Sequence, residues 1–150
     1  MHGIYAQSEA VVFRYLGNDP SLFDYSSRRK LPALEADLAA LRRLPIPMNT
    51  GCPAIDTSGA LFGMLYVLEG STLGGQFIAR KLLQHVSPPF PLQFYTLYGD
   101  KTQQLWLEFL QCANRQCPIA EYDAAVAAAV TLFTTIKMHL DDSQRYFELN

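Results

Sequence analysis

Cysteine, histidine and tryptophan are scarce in this chain, which has three, three and one of them among 150 residues. The cysteines are odd in number and lack metal-ligand spacing, so we expect reduced thiols in a cytoplasmic protein. No histidine pairs with another histidine or with a carboxylate at metal spacing, so we interpret each as structural and expect His139, among charged neighbours, to be solvated. No motif supports a Ser-His-Asp or Cys-His catalytic site. The residues concerned are Cys52, Cys112, Cys117, His2, His85 and His139.

Charge and long apolar runs are also limited. Charged residues make up 17% of the chain and the formal net charge is −2, which does not favour nucleic acid as a partner. We find no uninterrupted apolar run of the roughly 18 to 20 residues that cross a bilayer, and no segment typical of a signal peptide. The hydrophobic fraction of 49% is enough for a core. We therefore expect one globular domain over residues 1–150, with no membrane partner.

The spacing of apolar residues predicts an all-α protein. The one short segment that alternates as a strand does is Leu92 to Tyr98. The first helix starts without a cap or a leader, which predicts that an upstream segment has been lost or left out of this sequence. The predicted helices run from Ile4 to Leu16, Ser26 to about Leu44, Asp56–Ser58 to about Val86, Lys101 to Cys112, and Pro118 to about Phe147.

The third predicted helix contains glycines where a helix disfavours them. Each glycine in a helix interior costs about 1 kcal/mol relative to alanine. Gly70 and Gly74 are four residues apart and share a face, and Gly63 lies on nearly the same stripe. Such a face is free of side chains and suits the close approach of a planar ligand or of another backbone. The length of the helix also predicts a kink near Gly70 to Gly75.

Three interpretations of the glycine face remain open from the pattern alone: tight helix packing, a flat ligand lying on the helix, or a hinge. For Glu69, beside the glycines, we favour a hydrogen bond or salt bridge to a neighbouring helix over a chemical role. Arg28, Arg29 and Lys30 are most simply a solvated start of the second helix, although three cations could also hold a carboxylated ligand.

The segment Leu65 to Gln76, Leu-Tyr-Val-Leu-Glu-Gly-Ser-Thr-Leu-Gly-Gly-Gln, resembles the distal-helix signature of the heme oxygenases in its bacterial Glu-Gly-Ser form. Three further blocks resemble the same family in the same order, so that the likeness covers essentially the whole chain. The resemblance implies a heme oxygenase-like helical bundle. The three blocks are Tyr5 to Glu9, Arg28 to Leu38, and Ala125 to Leu140.

The activity implied by the resemblance is the oxidative cleavage of heme to biliverdin, iron and carbon monoxide, with an external reductant and an electron donor. By the same likeness Gly70 and Gly74 face the heme, Ser71 and Gly75 flank them, and Tyr66 contacts it; Gly70, Ser71 and Gly74 act in catalysis. A Cβ at either heme-facing glycine would occupy space that the porphyrin requires. The alternative is a non-catalytic protein of this fold that binds heme, a bilin or a protein partner. A purely structural helical dimer also remains open.

The chain departs from the family pattern in three places. The proximal histidine of the family lies on a first helix before the block that matches Tyr5, so we expect that helix and the metal ligand to be missing. Ser71 stands where animal-type members have an aspartate, and Gln103 and Leu107 stand where those enzymes have cations for the heme propionates. Loss of a core helix should leave an apolar groove. A partner chain could fill it, as in a homodimer, the remaining helices could close over it, or the start of the sequence is wrong.

Overall fold

The computed structural model describes residues 1–46, 48, 51–86 and 89–149. Within these residues it contains five α-helices, three short 3₁₀ turns and no β-strand, which confirms the predicted all-α class. The segment Leu92 to Tyr98 forms successive turns rather than a strand. The helices are α1 (His2–Leu16), α2 (Leu31–Ala40), α3 (Ser58–Leu83), α4 (Thr102–Gln116) and α5 (Tyr122–Leu149).

The second helix starts later than the sequence predicted, because a carboxylate from α1 caps it. Ser26 does not cap a helix: its backbone N–H donates to Asp24 at 3.0 Å, within a local turn. Instead Glu9 accepts the backbone N–H groups of Lys30 at 2.6 Å and of Leu31 at 3.2 Å. These are free donors at the amino end of α2, where a negative charge is also favourable. Glu9 therefore fixes the position of α2 against α1.

The long helix α3 begins where the sequence predicted, with Thr57 as its cap. The Thr57 hydroxyl accepts the backbone N–H of Ala60 at 3.0 Å, as expected of an N-cap residue. The helix then runs without a break from Ser58 to Leu83. The glycines thus lie inside one continuous helix, and the predicted kink stays a prediction.

The hydrophobic core forms around the first half of α3, where four residues have no exposed surface: Leu61, Met64, Leu65 and Leu68. Side chains from α1, α4 and α5 pack against this half: Ile4, Val12, Phe109 and Leu132. Beyond residue 69 only Gly75 and Ala79 of α3 are buried. The second half of α3 therefore projects from the core with much of its surface open.

Helix α5 begins at Tyr122, after a 3₁₀ turn from Ile119 to Glu121, rather than directly at Pro118. Its outer face has an exposed apolar row at Tyr122, Val126, Val130 and Phe133. By length and composition, residues 119–145 could cross a membrane, and little of this stretch is buried. Core helices of soluble proteins meet the same criterion, so this is weak support for a membrane. The expected absence of a membrane partner stays a prediction.

Candidate functional site

One face of α3 changes its environment halfway along the helix. A Cβ at Gly59 would collide with the backbone of Glu121, in the turn before α5, and a Cβ at Gly63 with the backbone of Ala125, in the first turn of α5. At Gly74, on the same face, a Cβ would meet no atom within 4 Å. The first part of the face therefore serves tight helix packing, and the second part is open. The packing interpretation therefore holds for the first part of the face, and the flat-ligand interpretation stays a prediction for the open part.

The open part of this face is a surface of apolar and aromatic side chains around bare backbone. We call it the α3 strip and define it as Tyr66, Gly70, Leu73, Gly74 and Phe77. Three of its side chains are strongly exposed for their type: Tyr66 at 47%, Leu73 at 40% and Phe77 at 58%. Grouped exposed hydrophobic side chains of this size commonly mark a ligand or a partner.

Trp106 of α4 borders the α3 strip. Its ring lies edge-on to Tyr66, with the ring centroids 5.3 Å apart. A Cβ on Gly70 would lie 3.5 Å from this indole, an ordinary contact distance. Trp106 therefore forms a wall beside Gly70, while Gly74 remains open. Trp106, the sole tryptophan of the chain, was not among the predicted site residues.

Gly75 and Ser71 lie off the α3 strip, on a neighbouring face of α3. A Cβ on Gly75 would lie 2.8 Å from the carbonyl oxygen of Tyr95, so this glycine permits close packing of the segment that follows α3. The Ser71 hydroxyl lies 2.7 Å from the phenol of Tyr5 and donates to the Leu68 carbonyl at 2.8 Å. Of the five predicted site residues, the structure brings Tyr66, Gly70 and Gly74 together on one surface.

Glu69 lies behind the α3 strip in a buried ionic cluster. Its carboxylate accepts from Arg28 at 2.8 Å and also pairs with the ammonium group of Lys30. The phenol of Tyr98 lies 3.0 Å from the same carboxylate and 2.8 Å from Lys30 Nζ. The favoured interpretation of Glu69, a salt bridge to a neighbouring element, is confirmed.

The predicted solvation of the cations before α2 is wrong for two of the three. Arg28 and Lys30 are buried, and only Arg29 is exposed. Burial lowers the pKa of Lys30, and the Glu69 carboxylate opposes this effect. Both cations are buried and paired with Glu69, and Arg28 is also paired with Glu108, so they serve this cluster rather than the open surface. Arg28 also donates to the Leu105 carbonyl of α4 at 3.0 Å, which gives the pair a structural role.

The three histidines lie apart from the α3 strip. His85 follows the end of α3 and is exposed, with Nδ1 2.9 Å from the Lys81 carbonyl. His2 lies on α1, 3.7 Å from the Glu35 carboxylate. His139 was expected to be solvated, and this is wrong: it is 3% exposed, because it lies on the inner face of α5.

The described residues contain no group of His, Cys, Asp or Glu side chains that could hold a metal ion. All three cysteines are free, as expected.

Comparison with known proteins identifies one similar enzyme. A heme oxygenase from Xanthomonas campestris pv. campestris (strain 8004) is 35% identical over 107 residues, which cover 71% of this chain and 64% of that enzyme. The chain thus matches less than two thirds of the length of this relative. No family model matches the chain, and no solved structure is detectably similar to it.

The chain therefore resembles a heme oxygenase over most of its length, and its all-helical fold is consistent with the all-α fold expected for such enzymes. This result supports the resemblance that was drawn from the Leu65 to Gln76 segment. The expected loss of the first helix, with its proximal histidine, stays a prediction.

Proposed function

We propose that the α3 strip binds heme and that the chain is a member of the heme oxygenase family, which cleaves heme oxidatively to biliverdin, iron and carbon monoxide. The observation that carries this proposal is the open space at Gly74 within a row of exposed aromatic and aliphatic side chains. The 35% identity to a heme oxygenase supports the proposed family.

The side chains of the strip fit a flat apolar ligand with an acidic edge. Tyr66, Leu73 and Phe77 offer apolar contact around the bare backbone of Gly74, and Trp106 would limit the ligand on one side. Lys81 follows Phe77 by one helical turn, and its ammonium group lies 5.8 Å from the centre of that ring. A ligand carboxylate at this end would find a cation to pair with.

Tyr5 and Ser71 would hold a proton next to the strip. The Ser71 hydroxyl donates a hydrogen bond to the Leu68 carbonyl, so the Tyr5 phenol must be the donor in its bond to the Ser71 oxygen. Burial raises the pKa of Tyr5 well above its usual value, so the phenol keeps its proton at neutral pH. In this proposal the pair orients water beside the ligand, at the position where animal-type members have an aspartate.

Bound heme would supply the iron that activates dioxygen, with electrons from an external reductant. The strip itself has no histidine among its described residues, which favours one second candidate: a protein of this fold that binds heme, a bilin or a protein partner without turnover. A cytoplasmic location and a homodimer belong to the same proposal. Because the three histidines lie apart from the strip, an iron ligand would have to come from another chain.

Aerobic turnover separates the enzyme from the non-catalytic binder. The protein is loaded with heme, ascorbate is added in the presence of catalase, and the spectrum is followed. An enzyme converts the Soret band into the broad red absorbance of biliverdin, whereas a binder keeps its Soret band. His85→Ala, His2→Ala and His139→Ala, tested singly, should each leave the Soret band unchanged, because these histidines lie apart from the strip. Loss of the Soret band at the same slow rate as that of free heme under these conditions would contradict enzymatic cleavage.

A further inference from the structure

A separate cavity of about 850 Å³ lies between the start of α1, the carboxyl end of α2 and the inner face of α5. We call it the α2 cavity. Its apolar wall includes Leu34, Leu38 and Ile46, and no residue of the α3 strip lines it. Its volume falls within the roughly 300 to 1,000 Å³ of small-molecule sites. The resemblance to heme oxygenases assigns no role to this cavity.

Two arginines at the end of α2 line the cavity in an unusual backbone geometry. The N–H of Arg43 donates to the Leu38 carbonyl at 2.9 Å, and the N–H of Arg42 donates to the Ala39 carbonyl at 3.0 Å. These bonds form a Schellman motif, whose left-handed position is normally glycine. Here that position is Arg42, with φ of 52°, and it is the single non-glycine residue with positive φ in the described part of the chain. The helix end thus carries a cation where glycine would fit more easily.

The guanidinium groups of Arg42 and Arg43 have no hydrogen-bond or ion-pair partner among the described residues. Two acids act on the histidines that line the cavity: the Glu35 carboxylate lies 3.7 Å from the imidazole of His2, and Asp142 acts on His139. Two adjacent cations without a counterion leave this end of the cavity positively charged. Arginine pairs favourably with a carboxylate in such a position.

A buried histidine adds a second polar group to the wall. His139 is 3% exposed, and its imidazole makes no hydrogen bond to any of the described residues. Buried polar side chains are nearly always hydrogen-bonded, so a partner is expected within the cavity itself. Tyr95, a half-buried phenol, lines the same space. The wall therefore combines apolar surface with cations and a buried donor or acceptor.

We propose that the α2 cavity binds an amphipathic carboxylate, with its apolar body against Leu34, Leu38 and Ile46. The carboxylate lies between the guanidinium groups of Arg42 and Arg43. This site is distinct from the α3 strip and does not depend on heme binding there.

Calorimetric titration of the 150-residue chain with decanoate at pH 7.5 tests the proposal. We expect one saturable site, with decanol bound at least about tenfold more weakly, because it lacks the charge that the arginines would contact. Arg42→Gly and Arg43→Gln should each weaken decanoate binding by about tenfold or more. Arg42→Gly also suits the left-handed backbone, so its thermal midpoint should equal or exceed that of the wild type. A loss of binding in this variant is then not a loss of folding.

Arg80→Gln removes an exposed arginine of α3 outside the cavity and should leave decanoate binding unchanged. Gly74→Leu, on the α3 strip, should do the same, and saturating heme should not displace decanoate. The proposal is overturned if the wild type shows no saturable binding, if Arg42→Gly binds decanoate with wild-type affinity, or if decanol binds equally well. Displacement of decanoate by one equivalent of heme would overturn the claim of a separate site.

Discussion

The phenol of Tyr5 on α1 lies 2.7 Å from the hydroxyl of Ser71 on α3 and donates a hydrogen bond to the Ser71 oxygen. The bond joins residues 66 positions apart and ties the first helix to the glycine-bearing turn. Tyr5 is 1% exposed, so its hydroxyl has little access to solvent as an alternative partner. The geometry of the turn beside the α3 strip therefore depends on the packing of α1.

This bond should appear as coupling in a double-mutant cycle. Ser71→Ala leaves the buried phenol of Tyr5 unsatisfied and should lower the free energy of unfolding by about 1–3 kcal/mol. Tyr5→Phe should cost about 1 kcal/mol in the wild type and little or nothing in the Ser71→Ala background. Urea unfolding of the four proteins measures both effects. Strictly additive losses would show that the two hydroxyls do not interact.

The two glycine environments of α3 should respond to alanine with opposite signs. Gly74→Ala adds a methyl group into open space and removes the helix penalty of glycine, so it should raise the free energy of unfolding by about 1 kcal/mol. Gly63→Ala drives a methyl group into the backbone of Ala125 and should lower it by about 2–3 kcal/mol. Thermal or urea unfolding of the two variants measures these changes. Equal changes in the free energy of unfolding would contradict the described path of α5.

In the buried ionic cluster, loss of the acid Glu69 should reduce stability more than loss of the base Lys30. Glu69→Leu leaves the ammonium group of Lys30, which is 0% exposed, without its main counterion and should cost about 3–5 kcal/mol. Lys30→Met should cost less, because Glu69 keeps its bonds from Arg28 and Tyr98. The free energies of unfolding of the two variants at pH 7.5 give the comparison. A larger loss of unfolding free energy in Lys30→Met would contradict this order and would mean that burial of Glu69 requires Lys30 more than burial of Lys30 requires Glu69.

Acidification should destabilise the protein through His139. Burial first, and the α-amino group of Met1 second, lower the pKa of this imidazole below 6.5, while Asp142 opposes them. Because the folded state then binds the proton more weakly than the unfolded state, stability is full above pH 6.5. It falls as the pH drops from 6.5 through the lower folded pKa.

Urea unfolding at pH 7.5 and 5.5 should therefore show a larger acid loss for the wild type than for His139→Gln. The difference between the two proteins removes the contribution of His2, His85 and the terminal amino group. An equal acid loss in both proteins would contradict the burial of His139.

The order and class of the helices were predictable because apolar spacing and caps such as Thr57 are local signals. The start of α2 was not, because its cap is Glu9, a residue 22 positions before Leu31 that reaches it only through tertiary packing. The sequence carried one hint: Glu9 is a carboxylate one helical turn after Tyr5, on the apolar face of the first predicted helix. A buried acid on such a face requires a partner elsewhere.

The candidate site was predictable in outline and not in detail. The spacing of Gly70 and Gly74 indicated a shared bare face, and the structure shows that face to be open at Gly74. Spacing alone could not reveal that Gly63 packs against α5, since this depends on where the two helices cross. It also could not place Trp106 beside Gly70, because contacts between distant segments have no local signature.

The central claim, that the α3 strip binds heme, is tested most directly by heme titration of the wild type, Gly74→Leu and Ala10→Leu, an exposed substitution on α1. We expect a saturable Soret change in the wild type and in Ala10→Leu. In Gly74→Leu we expect at least about a tenfold loss of affinity. Its thermal midpoint should equal or exceed that of the wild type, because leucine favours the helix and its Cβ meets no atom within 4 Å. Wild-type heme affinity in Gly74→Leu, or no saturable binding by the wild type, would contradict the account.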